Sequence, residues 1–393
     1  MIYLIGIILA LFLSLVLVSK KNKTKSNLIL LAWLWVIALN LALIYLQADE
    51  KKYICASLLG WVFPIPLLHW PFLYLYVSTL TSKKESGPKL VWLHFIPFIL
   101  SIVLFSRFLF LPASSKISVY EIGGKGYGTE LIINLAAIIL SALIYTTLSI
   151  IKLLKYKKLI KNEFSYLEKI NLNWLSYLIA GMTIIFFAVI FVGNDKVIYS
   201  FVVGFVFFIG YFGIKQVGIF TENIPGSITK GNINPLESQF NYVSKSNNEE
   251  TPLPEAEIEV KGIKYLKSTL NEDNALKIYN ELTNKMLTER LYLNAELRLD
   301  DLAGVLNVLP NHLSQVINSI ENKNFYDYIN QFRIDEFIKL ISIPGYQKFT
   351  LLSLAFECGF NSKTSFNRNF KKVTGLTPSE YLKQENIKAA IQK

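Results

Sequence analysis

The chain has 393 residues, of which 52% are hydrophobic and 14% aromatic, and a mean hydropathy of +0.38 that lies outside the range of soluble globular proteins. Its formal charge of +11 would suit a nucleic-acid binder, but long apolar runs fill the first ~220 residues and the rest is polar with helical periodicity, so two environments are implied.

Seven segments reach or approach the ~20 apolar residues needed to cross a hydrocarbon core about 30 Å thick. They cover residues 2–18, 27–47, 53–80, 90–111, 131–151, 172–193 and 197–214. Lysines alternate between the connecting loops. Lys20, Lys21, Lys23 and Lys25, then Lys83, Lys84 and Lys89, then Lys152, Lys155, Lys157, Lys158, Lys161 and Lys169 fall on one side, against Lys51, Lys52, Lys116, Lys125 and Lys196 on the other. The basic side is expected to be cytoplasmic, which puts the N-terminus outside and the C-terminus inside. Topology and anionic lipid therefore account for most of the excess charge, which by itself carries no argument for DNA. SKKNKTK follows the first span where small cleavage-site residues would stand, so that span is expected to remain as an anchor.

The third span contains Pro64, Pro66 and Pro71, which predict kinks or breaks. Polar residues within spans, His69, His94, Asn40 and Asn134, are candidates for a membrane ligand pocket, although hydrogen-bonded packing is the simpler role for the histidines. Arg107 can snorkel to the interface. GGKGYG at residues 123–128 has glycine spacing like that of a phosphate loop but lacks the flanking strand and helix, and it reads as a flexible connection. Cys55 and Cys358 are too far apart in this topology to pair and are expected to pack. No nucleophilic triad or metal-ligand spacing is present, so an enzyme, a cofactor and a metal are not expected.

Residues 221–260 mix Asn, Ser, Gly, Pro and Glu without periodicity and read as a flexible cytoplasmic linker. As a coil, a linker of this length spans ~35 Å. Residues 261–393 are helical by pattern. LNEDNALKIYNELTNKML, residues 270–287, is amphipathic and is expected to pack on the pair of short helices C-terminal to it or on a second copy. In that pair, LRLDDLAGVLN buries Leu299, Leu302, Ala303 and Leu306; after a turn, PNHLSQVINSI buries Leu313, Val316, Ile317 and Ile320 and turns Asn311, Ser314, Gln315 and Asn318 outward. FYDYINQFRIDEFIKLI is long enough to be one connecting helix. TLLSLAFECGF and SKTSFNRNFKKV repeat the short-helix, turn, short-helix grammar, with Phe366, Phe370 and Val373 inward and Lys363, Thr364, Asn367, Arg368 and Lys371 outward. The two units cover about 298–320 and 350–374, and the connecting helix about 324–341. Short polar side chains over a packed helix suit base edges in a major groove.

LSLAFECGFNSKTSFNRNFKKVTGLTPSEYL, closing with Gly375, Thr377, Pro378 and Tyr381, together with PNHLSQVIN and FYDYINQFRIDEF, resembles the DNA-binding domain of AraC/XylS-family transcriptional regulators over residues ~280–383. PLLHWPFLYLYV and HFIPF resemble the membrane half of a bacterial subgroup with seven spans before this domain. The resemblance implies base-facing roles for Asn311, Ser314, Gln315, Lys363, Thr364, Asn367 and Arg368, and phosphate contacts from Lys371 and Lys372. Leu309 departs from the capping Ser usual in the family, and Leu382 from an Arg that commonly follows the Tyr.

The expected fold is all-α: a seven-helix transmembrane bundle (1–220), then a soluble α-helical domain with two helix-turn-helix units joined by a long helix. The expected function is a membrane-bound, sequence-specific transcription regulator in the bacterial inner membrane with its C-terminal domain in the cytoplasm. Its expected partners are double-stranded promoter DNA, the lipid bilayer, RNA polymerase, an unidentified small-molecule or protein signal, and a second copy in a homodimer. The alternative is a membrane receptor or transporter whose C-terminal helices bind a protein.

Overall fold

The computed structural model describes residues 1–222 and 271–391, apart from residues 22, 48–50, 83–89, 169, 171 and 347. The expected linker at 221–260 thus lies almost wholly outside the described residues, as do Lys83, Lys84, Lys89 and Lys169. Among the described residues every named element is helical, and the one extended pairing is an isolated antiparallel bridge between Phe164 and Arg298.

The N-terminal half begins with α1 (Ile2–Ser19) and α2 (Lys25–Gln47), followed by a single turn, α3 (Lys51–Ile54). Then come α4 (Pro66–Thr81), α5 (Ile96–Leu104), α6 (Ser106–Leu109), α7 (Ala113–Glu121), α8 (Gly128–Glu163), α9 (Asn173–Phe191) and α10 (Asp195–Glu222). Helices α1, α2, α4, α8, α9 and α10 pack in that order, and α10 returns to α1, so six helices close a ring. Its interior holds Leu17, Trp33, Leu34, Leu73, Tyr76, Leu175 and Val206, while Ile8, Phe12, Leu15, Leu143 and Phe191 point outward and are exposed. An apolar exterior over an apolar interior is what lipid as solvent permits. Helices α1 and α10 approach closely at Gly210, where an added Cβ would meet Leu13 Cδ2 at 2.7 Å.

Four of these helices, α1, α2, α8 and α9, are long and apolar enough to cross a membrane. The third and fourth expected spans take a different form. Only the 16 residues of α4 are regular in the third, because Pro64 and Pro66 lack the backbone donors that would extend the helix toward residue 53, and Gly60 turns at φ +89°. Pro71 is accommodated within α4. The fourth is divided into a 3-10 turn (Val91–Phe95), α5 and α6.

The C-terminal half comprises α11 (Glu272–Glu289), α12 (Leu299–Val305), α13 (Pro310–Glu321), α14 (Phe325–Ile341), α15 (Leu351–Glu357), α16 (Lys363–Thr374) and α17 (Pro378–Ile391). It has two small cores on one shared helix. Phe325, Tyr328 and Ile329 of α14 join Leu302, Leu313 and Ile317 in the first; Ile334 and Phe337 join Leu354, Phe360, Phe366 and Phe370 in the second. The amphipathic α11 seals the first core with Leu282 and Met286, both fully buried. Two expected core residues lie outside it: Ile320 is 42% and Val373 37% exposed, because each sits one turn beyond its helix's last packed position.

Candidate nucleic-acid interface

The side chain of Ser362 starts α16 by accepting from the Ser365 N–H at 3.0 Å, and Gly375 stops it in the left-handed region at φ +79°. Between these caps Ser365, Phe366, Asn369 and Phe370 are buried, so the helical period turns Lys363, Thr364, Asn367, Arg368, Lys371 and Lys372 to the surface. Thr350 caps α15 in the same way, accepting from Ser353 N–H at 3.1 Å. The turn between α15 and α16 depends on Gly359 at φ +89°, where a Cβ would stand 2.6 Å from the Tyr292 carbonyl oxygen.

The corresponding helix of the first unit, α13, enters with Pro310 in its first turn and with no side-chain cap from Leu309. Asn311 is exposed, and Ser314 and Gln315 are half-buried. The Asn318 amide donates to Ser314 O and Oγ at 2.7 and 3.3 Å. This face is therefore less open than that of α16.

Tyr326, on the first turn of α14, organises the flank of α16. Its hydroxyl oxygen accepts from Asn369 Nδ2 at 2.6 Å and from Arg368 Nη2 at 2.7 Å. Asp327 pairs with Lys372 Nζ at 2.6 Å, and Arg368 Nη2 lies 3.8 Å from Glu168 Oε1. Glu168 belongs to the turn between α8 and α9, so the two halves of the chain meet at this helix.

That meeting is centred on Arg333, which is 1% exposed. Its guanidinium donates to Tyr292 O (2.8 Å), Asn294 O (2.7 Å), Ser165 O (3.1 Å) and Ser165 Oγ (3.0 Å). A buried cation is tolerable only when its donors are satisfied. Burial pushes its pKa down to about 10, against the opposing influence of Tyr326 and Glu168, so it remains charged at neutral pH. Ser165 also donates to Leu297 O from N and Oγ, at 3.2 and 2.7 Å, and its carbonyl accepts from Asn330 Nδ2 at 3.0 Å. Ile160, Leu167 and Tyr326 form an apolar contact beside it. The sequence reading missed Tyr326, Asp327, Arg333, Ser165 and Glu168. A charge at position 333 reads as surface by composition; its place among buried neighbours on α14 is the signal that was available.

In the N-terminal half, His69 Nδ1 accepts from Trp33 Nε1 at 3.3 Å. On the other side of the ring, Nε2 lies 3.3 Å from Asn40 Nδ2. His94 Nδ1 lies 3.1 Å from Tyr145 Oη. Asn134 accepts from Ser101 Oγ at 2.7 Å and donates to Phe63 O at 3.0 Å. The four candidates thus fall into three hydrogen-bonded groups that tie helices together. Cys55 and Cys358 are both free thiols; Cys358 is fully buried, and burial pushes its thiol up to about 12. Among the described residues no group of His, Cys, Asp and Glu could hold a metal ion.

Residues 302–384 match a protein family described as a helix-turn-helix domain. The chain is also similar to the Msm operon regulatory protein of Streptococcus mutans, at 26% identity over 118 residues, which is 30% of this chain and 41% of that protein. The chain thus spans less than half the length of that curated relative. No solved structure matches significantly. The two matches support a DNA-binding transcription regulator of the helix-turn-helix kind.

Proposed function

We propose that the protein is a membrane-bound, sequence-specific transcription regulator whose N-terminal bundle responds to a ligand or partner and whose C-terminal domain binds promoter DNA. The observation that carries this reading is α16: Lys363, Thr364, Asn367 and Arg368 stand open above buried Phe366 and Phe370, within the stretch that matches a helix-turn-helix domain. Helices α13 and α16, held on α14, act as two reading helices in successive major grooves, with Lys371 and Lys372 on phosphates. Four membrane-length helices support a location in the bacterial inner membrane. The full reading has seven membrane passages, two of them irregular, with the N-terminus outside and the DNA-binding half in the cytoplasm beside the chromosome. RNA polymerase and a second copy of the chain are its further partners.

The test is a gel-shift series with the full chain in nanodiscs against genomic fragments. Binding to a preferred fragment that weakens steeply with salt is expected. A flat salt response with no preferred fragment would favour a protein-binding role for the C-terminal helices and overturn the reading.

A further inference from the structure

A cleft of about 300 Å³ separates the end of α8 from the flank of α16. Lys157 and Lys161 line it from the bundle, Arg368 and Lys372 from the DNA-reading helix, and Asp327 is the only anion among its lining residues. Asn173, the first residue of the 19-residue α9, also faces it, and that helix begins without a side-chain cap. Lys157 Nζ already donates to a neutral oxygen, Ser176 Oγ, at 3.1 Å.

We propose that this cleft is a binding site for a phosphate-bearing anion that bridges the two halves of the chain. Four cations against two carboxylates, Asp327 in the cleft and Glu168 at 3.8 Å from Arg368, leave an excess of positive charge in a partly enclosed space, where attraction to an anion is stronger than on an open surface. Asn173 brings the N-terminus of α9 to the same space, and the positive end of that helix dipole adds to the attraction. A phosphate ester fits the volume; a duplex, whose major groove alone is about 12 Å wide, does not. The class of ligand is therefore a phosphomonoester or phosphodiester, supplied by a lipid headgroup or by a free anion. Resting on the reading of α16 as a DNA reader, the site has a regulatory consequence. Arg368 and Lys372 cannot serve the bridging anion and promoter DNA together, so occupancy holds the domain on the bundle and opposes DNA binding. This is reciprocal coupling between two ligands, and such couplings commonly amount to about 5- to 150-fold.

The test uses the full chain in phosphatidylcholine vesicles, in the same vesicles with added inorganic phosphate, and in vesicles containing phosphatidylglycerol. The readout is amide exchange over residues 164–168, where Ser165 N–H is bonded across the junction. A slowing of about tenfold with phosphatidylglycerol, lost in K157Q/K161Q, supports a headgroup as the ligand. The same slowing with inorganic phosphate supports a free anion. No slowing in either arm, or equal slowing in K157Q/K161Q, overturns the site. In parallel, the ligand that slows exchange is expected to weaken DNA binding by a similar factor in the wild type and by less than about twofold in the double variant. Slowed exchange with no DNA binding under any condition would uphold the site while overturning the assignment of α16.

Discussion

Arg333 Nη2 and Ser165 Oγ lie 3.0 Å apart, joining the centre of the connecting helix α14 to the turn between α8 and α9 across 168 residues of sequence. The same guanidinium holds the carbonyl oxygens of Tyr292 and Asn294, which lie within the C-terminal half. Arg333 therefore has two separable duties, and substitutions should separate them. Ser165→Ala removes one acceptor of Arg333 and one donor to Leu297 O; it is expected to weaken the junction by about 1–2 kcal/mol. Amide exchange should rise over residues 164–168 with little change in α11 to α17. Arg333→Met leaves three backbone carbonyls without this donor and should destabilise the C-terminal half itself by about 3 kcal/mol or more. Equal effects on the C-terminal half would show that the two duties are not separable.

Gly359 allows the α15–α16 turn to pass against the backbone at Tyr292 and Leu293. Alanine there must hold φ near +89° with its Cβ 2.6 and 2.8 Å from two carbonyl oxygens. A loss of about 2–3 kcal/mol is expected, from left-handed strain combined with displacement of neighbouring backbone. Denaturant unfolding reports it. A loss below about 0.5 kcal/mol would mean that the turn relaxes freely.

Much of this architecture was legible in the apolar period, which placed Leu302, Leu313, Phe366 and Phe370 on the inner faces of α12, α13 and α16, where the structure buries them. The prolines marked the break in the third apolar segment, whereas hydropathy is continuous across the fourth and gave no sign of its division into a 3-10 turn, α5 and α6. Ile320 and Val373 fit the helical period, but the period takes no account of where the packed neighbours end. The junction was illegible for a different reason: Ser165, Glu168, Arg333 and Arg368 are ordinary polar residues until the fold brings them together.

Acid should loosen the first core through Glu321. The Tyr279 hydroxyl, first, and then Lys323 hold its carboxyl below the ordinary value of 4.5, against the opposing effect of burial. A carboxyl with a depressed folded-state pKa contributes stability that is present above its ordinary value and is lost as pH falls through the folded value. The denaturant midpoint is therefore expected to fall as pH drops below about 4.5. Tyr279→Phe should lower the midpoint at neutral pH and flatten that acid limb. An unchanged acid limb in the variant would remove Tyr279 as its cause.

The exposed face of α16 makes a distinction that DNA can read out. Arg368 carries a planar guanidinium suited to two acceptors on one guanine, whereas Lys372 is a point charge. Arg368→Ala should cost about 1–3 kcal/mol on the preferred sequence and relax preference at one base pair, while leaving weak non-specific binding nearly intact. Lys372→Ala should weaken all sequences by a similar factor and reduce the slope of log affinity against log salt by about 1. Both side chains have anionic partners in the structure, Glu168 at 3.8 Å and Asp327 at 2.6 Å, and each must leave its partner to reach DNA. These competing contacts make the measured losses smaller than for unpaired side chains, because part of each cation's interaction with DNA replaces one it already has. Removing the competitor should act in reverse: Asp327→Asn is expected to tighten binding to all sequences and to leave the sequence preference as it was. A change in preference with Asp327→Asn, or equal sequence-independent losses from Arg368→Ala and Lys372→Ala, would overturn the division of α16 into base-reading and phosphate-binding residues.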